Sequence, residues 1–153
     1  METPEFKTDI VRRAYEYWRG KCAGGRLPRR ADIRPEEMAP LLPNIFLVDV
    51  IAAPAGGAPR FKFRLVGTQI NVWAGREYTG VFLNETEYGP NWKLVYDIYT
   101  RAVRERAPVR SEYSAPWQGR EYLTYERLVA PLSNDGAAVD MLFGALDVIV
   151  GQK

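Results

Sequence analysis

Histidine is missing from this sequence of 153 residues, and cysteine occurs once, at Cys22. Without histidine there is no Ser-His-Asp or Cys-His nucleophile, no His-ligated zinc or non-haem iron and no ordinary His-ligated haem. The commonest pH switch near neutrality goes with it. A lone cysteine excludes an intrachain disulfide, in keeping with a reducing compartment. Charge of one sign is also lacking: 21 basic and 19 acidic residues are interspersed to a net charge of +2, which gives no strong pull toward nucleic acid or a membrane surface. Long apolar runs are absent too. The longest, 44–53 and 137–150, are broken by Asp49, Asp140 and Asp147, far short of the roughly 20 apolar residues that span a bilayer. Residues 1–10 carry no basic segment followed by an apolar one, so the expected location is cytoplasmic. No internal repeat occurs, and Gly24-Gly25, Gly56-Gly57 and Gly67 match neither a phosphate-binding loop nor a dinucleotide fingerprint. What remains is carboxylate, tyrosine, lysine or arginine chemistry, or binding alone.

Hydrophobic residues make up 46% of the chain and aromatic residues 12%, enough for the core of one domain. The last third is the most legible part. Three strand-like runs, 108–115, 121–131 and 137–150, are joined by Trp117-Gln118-Gly119-Arg120 and Ser133-Asn134-Asp135-Gly136, which carry hairpin chemistry and predict an antiparallel meander. Two more strands are predicted upstream at 44–51 and 60–66. In the first, Phe46, Val48 and Val50 alternate with Ile45, Leu47 and Asp49, so both faces are covered. In the second, Phe61, Phe63 and Leu65 share one face and Lys62 and Arg64 the other. Along 121–131, Leu123, Tyr125, Arg127 and Val129 share a face opposite Tyr122, Thr124, Glu126 and Leu128, so Glu126 and Arg127 point apart.

Residues 1–25 predict an amphipathic helix capped by Thr3 with Pro4 in first position, and residues 26–150 a single domain. Its stripe is Phe6, Ile10, Ala14, Tyr17 and Trp18, and Gly24-Gly25 stops it. A helix this short is marginal alone in water, so the stripe must pack on something. Arg26, Arg29, Arg30 and Arg34, followed by a short helix at Pro35-Glu36-Glu37-Met38, read as a connector over the surface. The arginines form either an anion patch or a solvated linker with local pairing. Downstream, a short helix over 68–74 ends at Gly75, a further short element covers 79–83, and a longer helix runs over 89–106. Pro108 forbids its continuation, and its inward stripe is Trp92, Val95, Tyr96, Tyr99 and Val103.

Two strands, short helices, a longer helix and a meander follow the element order of a PAS domain. The local text is sharper. Tyr17-Trp18, the run Arg26-Leu27-Pro28-Arg29-Arg30-Ala31-Asp32-Ile33, and Leu41-Leu42-Pro43-Asn44-Ile45-Phe46-Leu47-Val48-Asp49-Val50 resemble the opening of the bacterial family of short, stand-alone PAS proteins. The resemblance continues through Phe63-Arg64-Leu65-Val66-Gly67-Thr68, Gly75-Arg76-Glu77-Tyr78-Thr79-Gly80 and Tyr125-Glu126-Arg127-Leu128. It implies an α+β fold: a five-stranded antiparallel sheet of order 2-1-5-4-3, helices on one face, and an N-terminal amphipathic helix on the other face or on a second protomer. It implies sensing of a small molecule, redox state or light through dimer contacts, and no single ligand. A flavin-photoreceptor PAS domain needs a cysteine inside a helix motif of Asn-Cys-Arg-Phe type, whereas Cys22 precedes the sheet, and a haem-sensing one usually needs histidine. The cofactor is therefore left unknown, with no haem or flavin motif. Cys22 reads as a packing residue or as a redox sensor.

In such a fold a pocket lies between the sheet and the helices. Its candidate walls are Trp73, Trp92, Tyr96 and Tyr99, and its candidate polar groups are Arg64, Tyr125, Arg127 and Asp140. Alternatively the aromatics are plain core, and Arg64, Arg127, Glu126 and Asp140 form a strand-to-strand charge network. The stripe Phe6, Ile10, Ala14, Tyr17 and Trp18 is the candidate dimer or partner interface. The function these residues favour is a non-catalytic sensor or regulatory module, homodimeric, binding an unidentified small molecule. It acts on an unidentified signalling protein, with no catalytic residue, metal, nucleic acid or membrane insertion. A second reading is a ligand-free interaction adaptor using the first helix. A third is a cone-like isomerase or dehydratase with Asp140 as base and Tyr96 or Tyr125 as donor.

Overall fold

The computed structural model describes residues 4–117 and 121–149, so the Thr3 cap and the centre of the connector after Trp117 lie outside the described residues. Five strands, β1 (Ile45–Ile51), β2 (Arg60–Val66), β3 (Val109–Trp117), β4 (Glu121–Leu132) and β5 (Met141–Val148), form one antiparallel sheet in the order β2-β1-β5-β4-β3. The expected order and pairing are those observed. Helix α1 (Asp9–Lys21) lies on one face, and α2 (Thr68–Ala74) and α3 (Trp92–Glu105) lie on the other.

Both faces of β1 are buried, as its double alternation predicts. Phe46 and Val48 enter the core shared with α2 and α3, while Ile45 and Leu47 enter the core under α1. On β2 the alternation fails at one place. Phe63 pairs with Val48 and Leu65 with Leu47, so Arg64 is an extra residue, a bulge that reverses the faces after it. Leu65, expected inside with Phe61 and Phe63, is therefore 42% exposed and Val66 is buried in its place. The short element expected over 79–83 is a turn at Thr79-Gly80 followed by an isolated bridge of Phe82 to Lys62 along the outer edge of β2. Phe63 N–H donates to Val81 O, Gly80 N–H to Phe63 O and Leu83 N–H to Phe61 O, covering an otherwise open strand edge.

The first helix begins five residues later than the Thr3-Pro4 signal. Its cap is Thr8, whose hydroxyl accepts the Val11 N–H at 3.2 Å, and residues 4–8 are not helical. The later start rotates the buried stripe to Val11, Ala14, Tyr15 and Trp18, with Phe6, Ile10 and Tyr17 packed at its margin. The glycine pair does not end the helix either. Cys22 caps it in an extended conformation, and Gly24 and Gly25, both at positive φ, turn the chain between Ala23 and Arg26. The connector expected on the surface is partly core: Ile33, Met38 and Leu41 are buried under α1. Its arginines pair locally, Arg29 with Asp32 and Arg34 with Glu36. No helix among the described residues is long and apolar enough to cross a membrane.

Residues 137–140, expected in the last strand, belong to the preceding loop. The Asp135 carboxylate accepts the N–H groups of Ala137 (2.8 Å) and Ala138 (2.9 Å), and the Ser133 hydroxyl donates to the Ala138 carbonyl. These local bonds replace ladder bonds. The N–H groups of Ala138 and Ala137 hold the Asp135 carboxyl below its usual range. The fold thus favours the ionised form: the stabilisation is complete above the unfolded carboxylate value near about 3.9 and is lost as pH falls through the lowered folded value. Asp135→Asn is expected to flatten the acid limb of the melting temperature against pH, measured by circular dichroism. An unchanged acid limb would assign the loss to other carboxylates.

Candidate functional site

Between the sheet and the α2–α3 layer lies a cavity of about 500 Å³. Its sheet wall is Phe46, Phe63, Val66 and Leu146, continued by Tyr113, Ser114 and Ala115 of β3 and Tyr125 and Arg127 of β4. Ile70, Trp73 and Ala74 of α2 and Leu94, Val95 and Tyr99 of α3 face them, and the segment joining these helices contributes Tyr78, Tyr88, Gly89, Pro90 and Asn91. Exposed lining residues, Ala74, Pro90, Asn91 and Leu94, mark the mouth, and buried Phe46, Tyr99 and Arg127 mark the depth.

Local chemistry explains why the joining segment turns inward. Gly75 closes α2 in the left-handed conformation at φ 80°, where glycine is favoured. Asn71 then accepts the Tyr78 N–H at 3.2 Å and donates to Glu77 at 3.1 Å, tying Tyr78 to α2. Tyr88 N–H donates to the Asn84 carbonyl. The rings interlock: Tyr113 stacks on Tyr125 at 5.1 Å, Trp73 meets Tyr125 edge-on at 5.7 Å, and Tyr88 stacks on Phe63 at 6.0 Å.

Arg127 is 6% exposed, and its guanidinium lies 4.4 Å from the centre of the Tyr113 ring. No ion pair among the described residues includes it. Its strand neighbour Glu126 faces the α1 side, as alternation predicts, and pairs there with Arg110 at 2.6 Å. Burial pushes the Tyr88 phenol up to about 12 and the Tyr99 phenol higher still, so both are neutral near pH 7.

Of the candidate ligand residues, the structure brings together Trp73, Tyr99, Tyr125 and Arg127. It does not place Arg64, Trp92, Tyr96 or Asp140 at the cavity. Arg64 is the bulge residue on the edge strand and lies 3.5 Å from Asp49. Trp92 and Tyr96 pack against each other, and the Tyr96 hydroxyl donates to the Pro59 carbonyl at 2.6 Å. Asp140 accepts the Asn134 N–H in the loop before β5. Asp140 N–H bonds to Leu132 O, seven residues along β4 from Tyr125, which at about 3.4 Å per residue is more than 20 Å away. The Asp140 and Tyr125 pair is therefore not assembled, and neither is the four-residue charge network. Among the candidate interface residues, Ala14 and Trp18 are buried against the chain's own sheet, the Trp18 indole N–H donating to the Pro131 carbonyl at 3.0 Å. Cys22 lies on that same side, away from the cavity, and burial pushes its thiol up.

Tyr78, Tyr88 and Tyr113 are lining residues that sequence reasoning missed. Tyr113 was within reach, because it shares a strand face with Val109 and Ala115. Tyr78 and Tyr88 sit in irregular chain, where no periodicity marks a face.

A family model described as PAS domain matches residues 6–147. The PAS domain from Bordetella pertussis BvgS is 15% identical, with 77% of this chain and 87% of that chain covered at a TM-score of 0.54. The LOV protein of Rhodobacter sphaeroides is 12% identical at a TM-score of 0.50; 71% of this chain is covered, and the chain spans 60% of that protein. No curated protein matches the sequence. At these identities the solved structures speak for the fold alone, and the family match speaks for descent. From its sheet order, its helix layer and a match over nearly its whole length, the chain belongs to the PAS domain family.

Proposed function

We propose that this chain is a non-catalytic sensor module that binds a small molecule between its sheet and α2–α3, and that it works as a homodimer on a signalling partner. The observation that carries the reading is the cavity of about 500 Å³ with an aromatic wall and a buried cation. Ligand sites commonly occupy roughly 300–1,000 Å³ and combine apolar walls with a few placed polar groups. PAS domains are typically sensor modules, which agrees with this use of the cavity.

Native mass spectrometry of freshly purified protein tests it. The expected spectrum is a dimer carrying a reproducible small mass that is lost on denaturation. Ala115→Trp, which fills the cavity from the β3 wall, is expected to remove that mass while leaving the far-ultraviolet dichroism unchanged. A wild-type protein that never carries an added mass, and whose melting temperature no metabolite library moves, sinks the ligand reading.

A further inference from the structure

We propose that the cavity takes a small organic acid, a carboxylate on an aromatic or apolar body, with the carboxylate paired to Arg127. This rests on reading the cavity as a ligand site and adds the chemical class of its occupant.

Arg127 is the only charged residue among the cavity's described lining. Its guanidinium stays protonated at any physiological pH. A cation taken out of water needs a counter-charge, and buried Arg127 differs sharply in this respect from partly buried Arg110 on the neighbouring strand. Arg110 lies between Glu112 at 2.5 Å and Glu126 at 2.6 Å. Arg127, 6% exposed, has no carboxylate within ion-pair reach among the described residues. The Tyr113 ring 4.4 Å away attracts the cation without neutralising it. Tyr88 and Tyr99 are neutral phenols near pH 7. Directly across the ladder from Arg127, Ser111 holds a buried hydroxyl without a hydrogen-bond partner among the described residues. The cavity therefore carries one positive charge without a counter-charge among the described residues, and Ser111 behind it on the same sheet face holds an unsatisfied hydroxyl.

One planar guanidinium matches one carboxylate, with two parallel N–H donors to two oxygens. A phosphate ester carries more charge than one cation balances, and the chain has no phosphate-binding loop. A cationic ligand is repelled, and a neutral one leaves Arg127 as it is. The remaining walls, Trp73, Tyr88, Tyr113 and Tyr125, offer ring faces and edges to a flat apolar body.

The test compares acids with their uncharged isosteres on the full chain by isothermal titration calorimetry. The probes are indole-3-acetate and 3-phenylpropionate against indole-3-acetamide and 3-phenylpropionamide. Each acid is expected to bind the wild type about tenfold more tightly than its amide, the scale of a charge-assisted pair. Arg127→Met is expected to erase that preference while still binding the amides. The wild-type comparison stands alone should Arg127→Met fail to fold. Where none of the four probes binds, an acid identified in the co-purified mass supports the proposal. Equal binding of acid and amide, or a co-purified ligand without an acidic group, overturns the carboxylate assignment and leaves the cavity as a ligand site. No binding by any of the four probes together with no co-purified mass overturns both.

Discussion

Glu126→Ala is expected to cost about 3–5 kcal/mol, the usual scale for removing one partner of a buried charged pair. Glu126 is fully buried on β4 and accepts four hydrogen bonds, from the Lys7 N–H at 2.7 Å, the Thr8 N–H at 2.9 Å, the Thr8 hydroxyl at 2.7 Å and Arg110 Nε at 2.6 Å, with Arg110 Nη2 in ion-pair contact at 2.6 Å. Alanine leaves the onset of α1 without its acceptor and Arg110 with Glu112 alone. Because Thr8 also caps the helix, the loss spreads from one strand into the layer that α1 lays over the sheet. In a chain of this size that corresponds to a fall of roughly 10 °C in melting temperature. Hydrogen exchange locates the effect: the amides of Lys7, Thr8 and Val11 should lose protection ahead of those in β5. Glu126→Gln keeps an oxygen for Thr8 but sets an amide N–H₂ toward Arg110, so an intermediate loss is expected. A Glu126→Ala variant that melts with the wild type would show that the cluster is replaceable by water.

The same carboxylate shows where the sequence stops being readable. Thr3-Pro4 and Thr8-Asp9 are both acceptable helix starts, and local chemistry does not choose between them. The choice comes from a residue 118 positions further on. Once the start moves, the buried face moves with it, and Ala14 and Trp18, candidates for contact with a partner, belong to the chain's own second core. On β2 a single bulge at Arg64 has the same character, since the extra residue reverses Leu65 and Val66 without any glycine or proline to announce it. What the sequence does make legible is local and periodic. The five strands and the meander of the last three were open to reading from turn chemistry and alternation, and so was helix α2 between Gly67 and Gly75, whereas the order of the whole sheet came from the resemblance to PAS domains. At the cavity, alternation found Tyr125 and Arg127, and helical spacing found Tyr99. Helical spacing also proposed Trp92 and Tyr96, because it reports which side of a helix is buried and not which part of that side borders empty space.

Gly67→Ala is expected to be the second severe substitution, although a single methyl group is the only addition. The reason is not backbone freedom, because Gly67 has φ −62°, open to any residue. A Cβ at this position would stand far inside contact distance of the Pro43 and Leu42 carbonyl oxygens, so two stretches of backbone would have to part. Neither yields easily. Gly67 N–H donates to Ile45 O at 2.8 Å, and the 3₁₀ turn Ala39–Asn44 is anchored by buried Leu41 and by Asn44, whose side chain donates to the Leu146 carbonyl at 2.9 Å. Overpacking against rigid neighbours reaches about 3 kcal/mol or more, again roughly 10 °C in melting temperature. Gly144→Ala gives the contrast. There the added methyl meets the far end of the Phe46 ring, which can swing where a backbone carbonyl cannot. Phe46 lies under Tyr99 in the cavity wall, so Gly144→Ala should lower stability less and displace a ring into the cavity. The two glycines thus separate fold from site. Gly67→Ala shifts α2 as a unit and should lower both stability and any ligand retention. Gly144→Ala should lower retention with the smaller loss of stability. If Gly67→Ala melts within about 2 °C of the wild type, the contact between α2 and the 39–44 turn is looser than these carbonyl positions require.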